Sequence, residues 1–263
     1  VRDGYYANKT GASYFRLIDV AANEATPSFA RGFHLGCAFV DGDTVYVYGV
    51  PKWGGDAIRA FWSTDLKEWK DQDALMLSKW EIFNTSVCKG KDGYVMAFEI
   101  GAPKEEAGVP FTMRFATSKD ARTWNLTPGN CVYTKERYSA CPALRYLDGY
   151  YYMAYLEAYP GSYAPNIVRS KDLVAWEESP FKPMMKFSDD DKRIANPNLS
   201  PELRKRIAEA KDINNSDVDF CEFQGRTVIT YSWGNQTGIE HLAEAVYEGS
   251  EASLLRGFFP ETK

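Results

Sequence analysis

The chain has 263 residues, of which 44% are hydrophobic and 15% aromatic, so it can bury a large core and is not a disordered protein. Its formal net charge is −5, and no run of Lys and Arg is long enough to follow a phosphate backbone, so we expect no nucleic-acid partner. No apolar stretch reaches the roughly 20 residues of a membrane-spanning helix, and we expect no membrane partner. The sequence is compatible both with a cytoplasmic protein and with an exported one whose signal has been removed.

Two signals recur along the chain. The first is Ser-x-Asp-x-x-x-Trp, at 63–69, 118–124 and 170–176, with starts 55 and 52 residues apart. The second is a tight turn followed by a run that alternates aromatic and β-branched residues, which is typical of a β-hairpin. These turns begin at Asp41, Asp92, Asp148 and Gln224. Hairpin units repeated at this period predict an all-β protein, a five-bladed β-propeller.

Four blades are visible as repeats, and the rest of the chain is assigned around them. We expect residues 1–33 to supply a fifth blade, completed by the C-terminal segment 254–260. A short helical insertion is predicted at 188–212, between the third and fourth visible repeats, where Ser200 and Pro201 form a typical helix start. The whole chain, 1–263, is then a single domain. A two-sheet sandwich is the alternative fold, but it does not explain the recurring Trp.

The repeated Ser, Asp and Trp residues are predicted to be structural, because a Ser/Asp turn leading into a Trp can hold neighbouring blades together. The five cysteines include no Cys-x-x-Cys pair. We therefore expect free thiols, with Cys37, Cys88 and Cys221 buried in strands.

In a propeller the first strand of each blade lines a central channel, and its start opens on one face. Counting seven residues back from each turn predicts that His34, Thr85, Cys141 and Asp217 meet at the channel mouth. Asp219, two residues after Asp217, should lie on the same side of the strand. The carboxylates could act in catalysis, cap backbone N–H groups or hold a structural cation.

Carboxylates, amides, Arg and Trp together suit a sugar site, because aromatic faces stack on sugar rings while carboxyl groups supply acid and base. The predicted catalytic candidates are Asp217, Asp219, Glu157, His241 and Glu136. The predicted substrate-binding residues are His34, Trp53, Glu81, Asn84, Glu99, Arg137, Asn215, Trp233 and Gln236. No Gly-rich phosphate loop, His/Cys metal spacing or Gly-x-Ser-x-Gly elbow occurs.

With these motifs the chain resembles the five-bladed β-propeller glycoside hydrolases. The Ser-x-Asp-Leu-x-x-Trp segments resemble those of glycoside hydrolase family 43 over nearly the whole length. The stretch NNSDVDFCEFQGRTVITYSWGNQ and the ending LAEAVYEGSEASLLRGFFP look closer to family 117, the exo-acting neoagarooligosaccharide hydrolases. The resemblance implies an inverting mechanism with Asp and His among the catalytic groups, and a divalent cation in the channel, with no other cofactor required.

The chain departs from family 43 at two positions. Where that family places its general base, this chain has His34-Leu35-Gly36, and where it places its general acid before a Pro, this chain has Ala140-Cys141-Pro142. The leading hypothesis is an exo-acting, inverting glycoside hydrolase on an oligosaccharide of algal or plant origin. In it Asp217 or Asp219 activates water, and Glu157, Glu136 or His241 protonates the leaving oxygen. The alternatives are a non-catalytic sugar-binding propeller and a protein-interaction propeller.

Overall fold

Antiparallel hairpins dominate the chain, as the alternating runs predict. The computed structural model describes residues 12–19, 22, 24–235 and 240–260. The early strands are β1 (Ile18–Asp19), β2 (Glu24–Ala25), β3 (His34–Asp41), β4 (Thr44–Val50), β5 (Ala57–Ser63) and β6 (Lys70–Met76). The middle strands are β7 (Glu81–Gly90), β8 (Gly93–Ala102), β9 (Thr112–Ser118), β10 (Asn125–Leu126), β11 (Ser139–Leu147) and β12 (Tyr150–Tyr159). The last strands are β13 (Ser162–Ser170), β14 (Trp176–Glu178), β15 (Asn214–Phe223), β16 (Arg226–Gly234) and β17 (Glu240–Tyr247).

The strands form consecutive meanders that match the repeats. The first sheet has the order β3-β4-β5-β6 and the second β7-β8-β9-β10. The third meander, β11 to β14, and the fourth, β15 to β17, are joined by one parallel pair, Tyr163 with Asn214. We refer to these four meanders as blades one to four.

The first strands of the blades lie side by side at the centre of the molecule. β7 packs against both β3 and β11, and β11 also packs against β15. Because each of these strands begins its blade, their starts share one end of the arrangement. This end is the channel mouth. The mostly β architecture and this arrangement agree with a propeller, while the count of five blades stays a prediction.

The Ser-x-Asp-x-x-x-Trp segments are structural, as predicted. Asp65 Oδ1 accepts the N–H groups of Lys67 and Glu68, both at 2.9 Å, and equivalent bonds form at Asp120 and Asp172. Each turn passes through a left-handed residue, at φ 61° for Leu66, 60° for Ala121 and 65° for Leu173. The turn therefore ends with its Trp aimed at the neighbouring sheet.

Each of these Trp side chains packs on the blade before its own. Trp124 contacts Tyr48 edge-on at 5.8 Å between ring centroids, and Trp176 stacks on Phe115 at 5.5 Å. Trp69 of blade one stacks on Phe29 at 3.7 Å. Residues 12–33, which contain β1, β2 and Phe29, therefore occupy the place that precedes blade one.

The C-terminal segment does not complete that N-terminal unit, so this part of the prediction is wrong. A helix, α3 (Glu251–Gly257), follows β17, and Leu255 and Phe259 join a core cluster with Tyr152, Ile167 and Phe220 of blades three and four. The segment is apolar on the side that meets this cluster, which is why it packs there. The other helices are α1 (Lys104–Ala107) and α2 (Pro201–Glu209).

The region between blades three and four contains two short helical segments. A 3-10 turn spans Asp189–Lys192, and α2 begins at Pro201 after Ser200, whose side chain accepts the Leu203 N–H. Across the described ranges, no helix is long and apolar enough to cross a membrane.

Replacing Trp124 with Ala is expected to lower the free energy of unfolding by about 3–5 kcal/mol, because its buried ring holds blade two on blade one. Trp124 is 4% exposed, whereas Trp53 is 53% exposed, so Trp53→Ala is the matched control. Urea unfolding followed by circular dichroism measures both. A loss below 1 kcal/mol in Trp124→Ala would show that this contact does not hold the blades.

Candidate functional site

A β-bulge interrupts the first strand of every blade near the channel mouth. Two residues oppose one at Leu35–Gly36, Phe83–Asn84, Cys141–Pro142 and Asp217–Val218. Leu35, Cys141 and Asp217 have φ near +50°, at 52°, 50° and 52°, which bends the strand locally. A Cβ on Gly36 would lie 2.2 Å from the carbonyl oxygen of Tyr48, so this bulge requires glycine.

Two of the four predicted mouth positions are shifted by about one residue in the structure. The first two hairpins turn at 42–43 and 91–92, not at the Asp-Gly pairs themselves. Leu35 and the Phe83–Asn84 pair therefore stand where His34 and Thr85 were predicted. Cys141 and Asp217 occupy equivalent positions on their strands, as predicted, and both lie at bulges.

Glu99 of β8 lies opposite the bulge of blade two, and its carboxyl group is almost fully buried, with 3% of the residue exposed. Its Oε2 accepts hydrogen bonds from Asn84 Nδ2 and from the Cys141 N–H, both at 2.9 Å. Burial, reinforced by the nearby charge of Asp217, raises the pKa of Glu99 to about 7. Both of these bonds go to Oε2.

Asp217 completes a polar cluster with Glu99, Asn84 and Cys141. Its side chain is exposed, and its Oδ2 accepts a hydrogen bond from Ser232 Oγ at 3.1 Å. Burial, together with the charges of Asp217 and Glu99, raises the pKa of the Cys141 thiol well above its usual value. Cys141 is therefore a protonated spacer between two carboxyl groups and not a nucleophile.

An arc of aromatic rings runs along the same rim. Trp53 contacts Phe83 at 5.1 Å between centroids, Phe83 contacts Phe111 at 5.0 Å, and Phe111 contacts Tyr138 at 5.7 Å. Tyr138 in turn contacts Tyr163 at 5.5 Å. Burial raises the pKa of Tyr138, and the nearby Cys141 and Glu99 add to this effect. Because these two residues belong to the polar cluster, the arc lies next to that cluster. We call these five residues the aromatic arc.

Asp219 does not join Asp217, although it is two residues away, because the bulge intervenes. Its Oδ1 pairs with Arg145 Nη2 at 2.8 Å, and Arg145 also pairs with Glu251 of α3 at 3.2 Å. Asp219 therefore belongs to an ion-pair network further along β15, towards α3. The placement argues against a catalytic role.

Glu157 lies in a second ion-pair network and not in the polar cluster. Its Oε2 accepts hydrogen bonds from Tyr155 at 2.7 Å and Asn166 at 3.0 Å, and it faces Lys182 at 3.3 Å. Arg137 lies 3.6 Å from its Oε1 and also bonds Glu178. Glu157 is therefore held between two cations, away from Glu99 and Asp217. Arg137 was predicted to bind sugar, but its guanidinium group already pairs with Glu157 and Glu178.

The remaining predicted acid, Glu136, is exposed in the loop before β11. Among the described residues, no hydrogen bond or ion pair joins its side chain to Glu99 or Asp217. Glu81 and Trp53 are exposed at the rim. The Glu81 carboxylate lies close to Gly101, since a Cβ built on that glycine would be 2.9 Å from Glu81 Oε2. Gln236 lies outside the described residues.

Both histidines are desolvated, which lowers the pKa of each. His34 is 8% exposed, and neither ring nitrogen has a hydrogen-bond partner within the described ranges. His241 is on β17, two strands outward from β15, which is about 10 Å at normal strand spacing. It contacts Trp233 at 4.7 Å and lines a cavity of about 970 Å³ under the insertion. His241 is thus separated from Asp217.

Two predicted sugar-binding residues have structural contacts. Trp233 is 1% exposed and belongs to the core of blades three and four. Asn215 is fully buried, and its Nδ2 donates to Asp191 Oδ2 at 3.1 Å. Trp233 lies near the end of β16, as predicted, and Asn215 lies near the start of β15, but both are buried.

The cysteines are all free, as expected. Cys221 is exposed, so its predicted burial is wrong: it lies on the exposed side of β15 with Asp219, opposite the buried Phe220. In the part of the chain that the structure describes, no group of three or more His, Cys, Asp or Glu side chains is placed to hold a metal ion. The channel cation implied by the resemblance stays a prediction.

Comparison of this structure with solved ones identifies the fold. It matches a protein named "Glycoside hydrolase" with TM-score 0.62 and 15% identity, over 93% of this chain and 82% of that one. An α-L-arabinofuranosidase from Lactobacillus brevis matches with TM-score 0.61 and 11% identity, over 88% and 81% of the two chains. A family 117 glycoside hydrolase from the marine bacterium Zobellia galactanivorans matches with TM-score 0.52 and 12% identity, over 89% and 74%. The chain shares the fold of the propeller glycoside hydrolases.

At these identities the likeness concerns the fold alone, and the site must be argued from its residues. No protein-family model matches the sequence, and no curated protein matches it. Sequence reasoning named Glu99 and Asn84 only as sugar-binding residues. It missed the burial of Glu99, which depends on strands of blades two and three meeting.

Stability is expected to fall as the pH rises from about 4.5 to about 7, because folded Glu99 keeps its proton up to about 7 while the unfolded group ionises near 4.5. Glu99→Gln cannot ionise and should lose this part of the fall, roughly 3 kcal/mol. Urea unfolding of both proteins at several pH values measures the difference. Parallel pH profiles would contradict the burial of an ionisable Glu99.

Proposed function

We propose that the protein is a glycoside hydrolase that cleaves an oligosaccharide, with Glu99 as general acid and Asp217 as general base. The observation that carries the proposal is the contrast between these two carboxyl groups at one mouth. Glu99 is buried, and its pKa is raised to about 7. Asp217 is exposed at the bulge. Two carboxyl groups in different environments are the requirement for acid–base hydrolysis.

The chemistry follows from which oxygens are already bonded. Oε2 of Glu99 accepts two hydrogen bonds, so the proton is held on Oε1, from which it passes to the leaving glycosidic oxygen. Asp217 accepts a proton from water as the water oxygen bonds to the anomeric carbon, and the bond from that carbon to the leaving oxygen breaks. The products are a new reducing end and an alcohol. Solvent returns the proton from Asp217 to Glu99.

The proposal includes inversion at the anomeric carbon. Inverting enzymes hold their carboxyl groups about 6.5–9.5 Å apart to admit water. Cys141 lies between Glu99 and Asp217, bonding the first through its N–H and the second through its thiol. The spacer supports room for a water molecule. Attack at chain ends and a neoagarooligosaccharide-like substrate belong to the same proposal, and they rest on the sequence resemblance to family 117.

The aromatic arc supports a sugar as the ligand. Its rings adjoin the polar cluster through Tyr138, and Trp53 at its far end is 53% exposed. Aromatic faces next to carboxylates and an amide are typical of carbohydrate sites. We therefore assign the reacting sugar to the polar cluster and the following sugars to the arc.

A non-catalytic sugar-binding propeller is the second candidate. Leu35 and Cys141 occupy bulges at which the family 43 resemblance implies carboxylates. Such a protein would bind sugars through the same arc without turnover. Product release from a panel of agaro-, arabino- and xylo-oligosaccharides separates the two candidates.

Glu99→Gln and Asp217→Asn are each expected to lower kcat by about 10²–10⁴, because each removes one proton-transfer group. Both substitutions keep the shape of the side chain, and Asn tolerates the left-handed backbone of residue 217. The matched control is Glu105→Gln, which neutralises an exposed carboxylate of α1 and should leave kcat unchanged.

Proton NMR of the first product on the active oligosaccharide should show the anomer opposite to that of the substrate. Full activity in both site variants would overturn the assignment of these residues. Sugar binding without product from wild-type protein would favour the non-catalytic candidate.

Trp53→Ala is expected to weaken binding of a hexasaccharide about tenfold, while binding of the corresponding disaccharide stays unchanged, because Trp53 contacts only distant sugars. Phe181→Ala is the control, since Phe181 is also 53% exposed but lies outside the aromatic arc. Calorimetry measures all four affinities. Equal losses for both sugar lengths would contradict the assignment.

A further inference from the structure

The loop between β4 and β5 of blade one is fixed to the start of β7 in blade two. The Gly55 N–H donates to the Lys52 carbonyl oxygen at 3.0 Å, which closes the loop into a turn. The Ile82 N–H then donates to the Gly55 carbonyl oxygen at 2.8 Å, in an isolated antiparallel bridge. Because of this bridge, Trp53 of the loop and Glu81 of β7 lie on the same part of the rim.

Two glycines leave room for the Glu81 side chain. A Cβ on Gly54 would lie 3.5 Å from both Cβ and Cγ of Glu81, so the stem of this side chain packs on the residue that follows Trp53. A Cβ on Gly101 would lie 2.9 Å from Glu81 Oε2 and 3.1 Å from Phe83 Cε2. Gly101 is the extra residue of a bulge in β8, opposite the start of β7. The carboxylate is therefore held between the two blades, close to Phe83 and next to the loop that carries Trp53.

The Glu81 carboxylate is exposed and has no partner in the protein. Among the described residues, it makes no hydrogen bond and no ion pair. On blade three, by contrast, Arg137 and Lys182 each pair with Glu157 and with Glu178. The acidic side chain beside the Trp53 loop is therefore free to meet a ligand, whereas these basic side chains are already paired.

We propose that Glu81 determines specificity: it accepts hydroxyl groups of the sugar that stacks on Trp53 and excludes anionic sugars, so the substrate is an uncharged oligosaccharide. An ionised carboxylate only accepts hydrogen bonds, and a sulfate ester or a uronic-acid carboxylate also only accepts them. Such a group would face Glu81 without a donor and with a charge of the same sign. A neutral sugar instead supplies hydroxyl donors at the edge of the ring. The inference rests on the proposed function only for the assignment of sugars to the aromatic arc.

Two other charges bear on a ligand at this rim. Asp217 is a second exposed carboxylate at the channel mouth, so an anionic sugar would meet charge of the same sign at the reacting position as well. Lys52 precedes Trp53 in the loop, and its side chain is exposed. A general effect of the loop charge would depend on Lys52 and Glu81 alike, whereas a hydrogen-bonded contact with the sugar depends on Glu81.

The test is calorimetry on the Glu99→Gln protein, so that bound sugar is not hydrolysed. The ligands are the neutral agaro-, arabino- or xylo-hexasaccharide that binds best and the same hexasaccharide carrying sulfate esters. The neutral sugar should bind about tenfold more tightly at low ionic strength, and the ratio should shrink at high salt because the repulsion is screened. Binding without any hydrolysis in the wild-type protein would contradict the proposed function and leave this inference standing. Hydrolysis with equal binding of both sugars would do the reverse.

Adding Glu81→Gln should bring the ratio of the two affinities close to one, because Gln keeps an acceptor, supplies a donor and carries no charge. The matched control is Glu105→Gln, which removes the same charge from an exposed carboxylate of α1 and should keep the tenfold ratio. Lys52→Gln should keep it as well. An unchanged ratio in Glu81→Gln would overturn the proposal, and so would an equally large change in Lys52→Gln. Failure of every neutral hexasaccharide to bind would also overturn it.

Discussion

The packing of one Trp from each Ser/Asp turn on the preceding blade is the contact on which the architecture depends. An isolated four-stranded meander would leave one apolar face in water, and Trp124 and Trp176 cover such faces with rings from the next repeat. The same contact links Trp69 to Phe29. Because every blade is placed by its neighbour, the first strands are brought side by side and their starts converge.

The polar side chains form a site only because the starts of these strands converge. Glu99 would be an unremarkable strand-end acid in one hairpin, but Asn84 and Cys141 from adjoining strands enclose it and displace water. Asp217, on a fourth strand, stays in contact with solvent. The raised pKa of Glu99 therefore arises from burial by neighbouring strands of blades two and three, and not from the identity of the residue.

The repeats, the structural turns and the mouth positions of Cys141 and Asp217 could be predicted, because each depends on local turn chemistry and a strand period of two. The shift from His34 to Leu35 could not, since a turn one residue further along moves the whole count. Asp219 was paired with Asp217 by alternation, and the bulge breaks that alternation. Glu157 and Asn215 were placed at the correct end of their strands, but their partners come from distant segments that no local pattern identifies.

The left-handed backbone at three of the bulges has an evolutionary consequence. Leu35, Cys141 and Asp217 each hold a conformation that costs a side-chain-bearing residue of order 1 kcal/mol relative to glycine. Selection for thermal stability alone would therefore favour glycine at these positions, which would remove the side chains that line the channel mouth. Directed evolution that selects for heat resistance alone should enrich such replacements, and the protein should lose its function at the mouth at the same time.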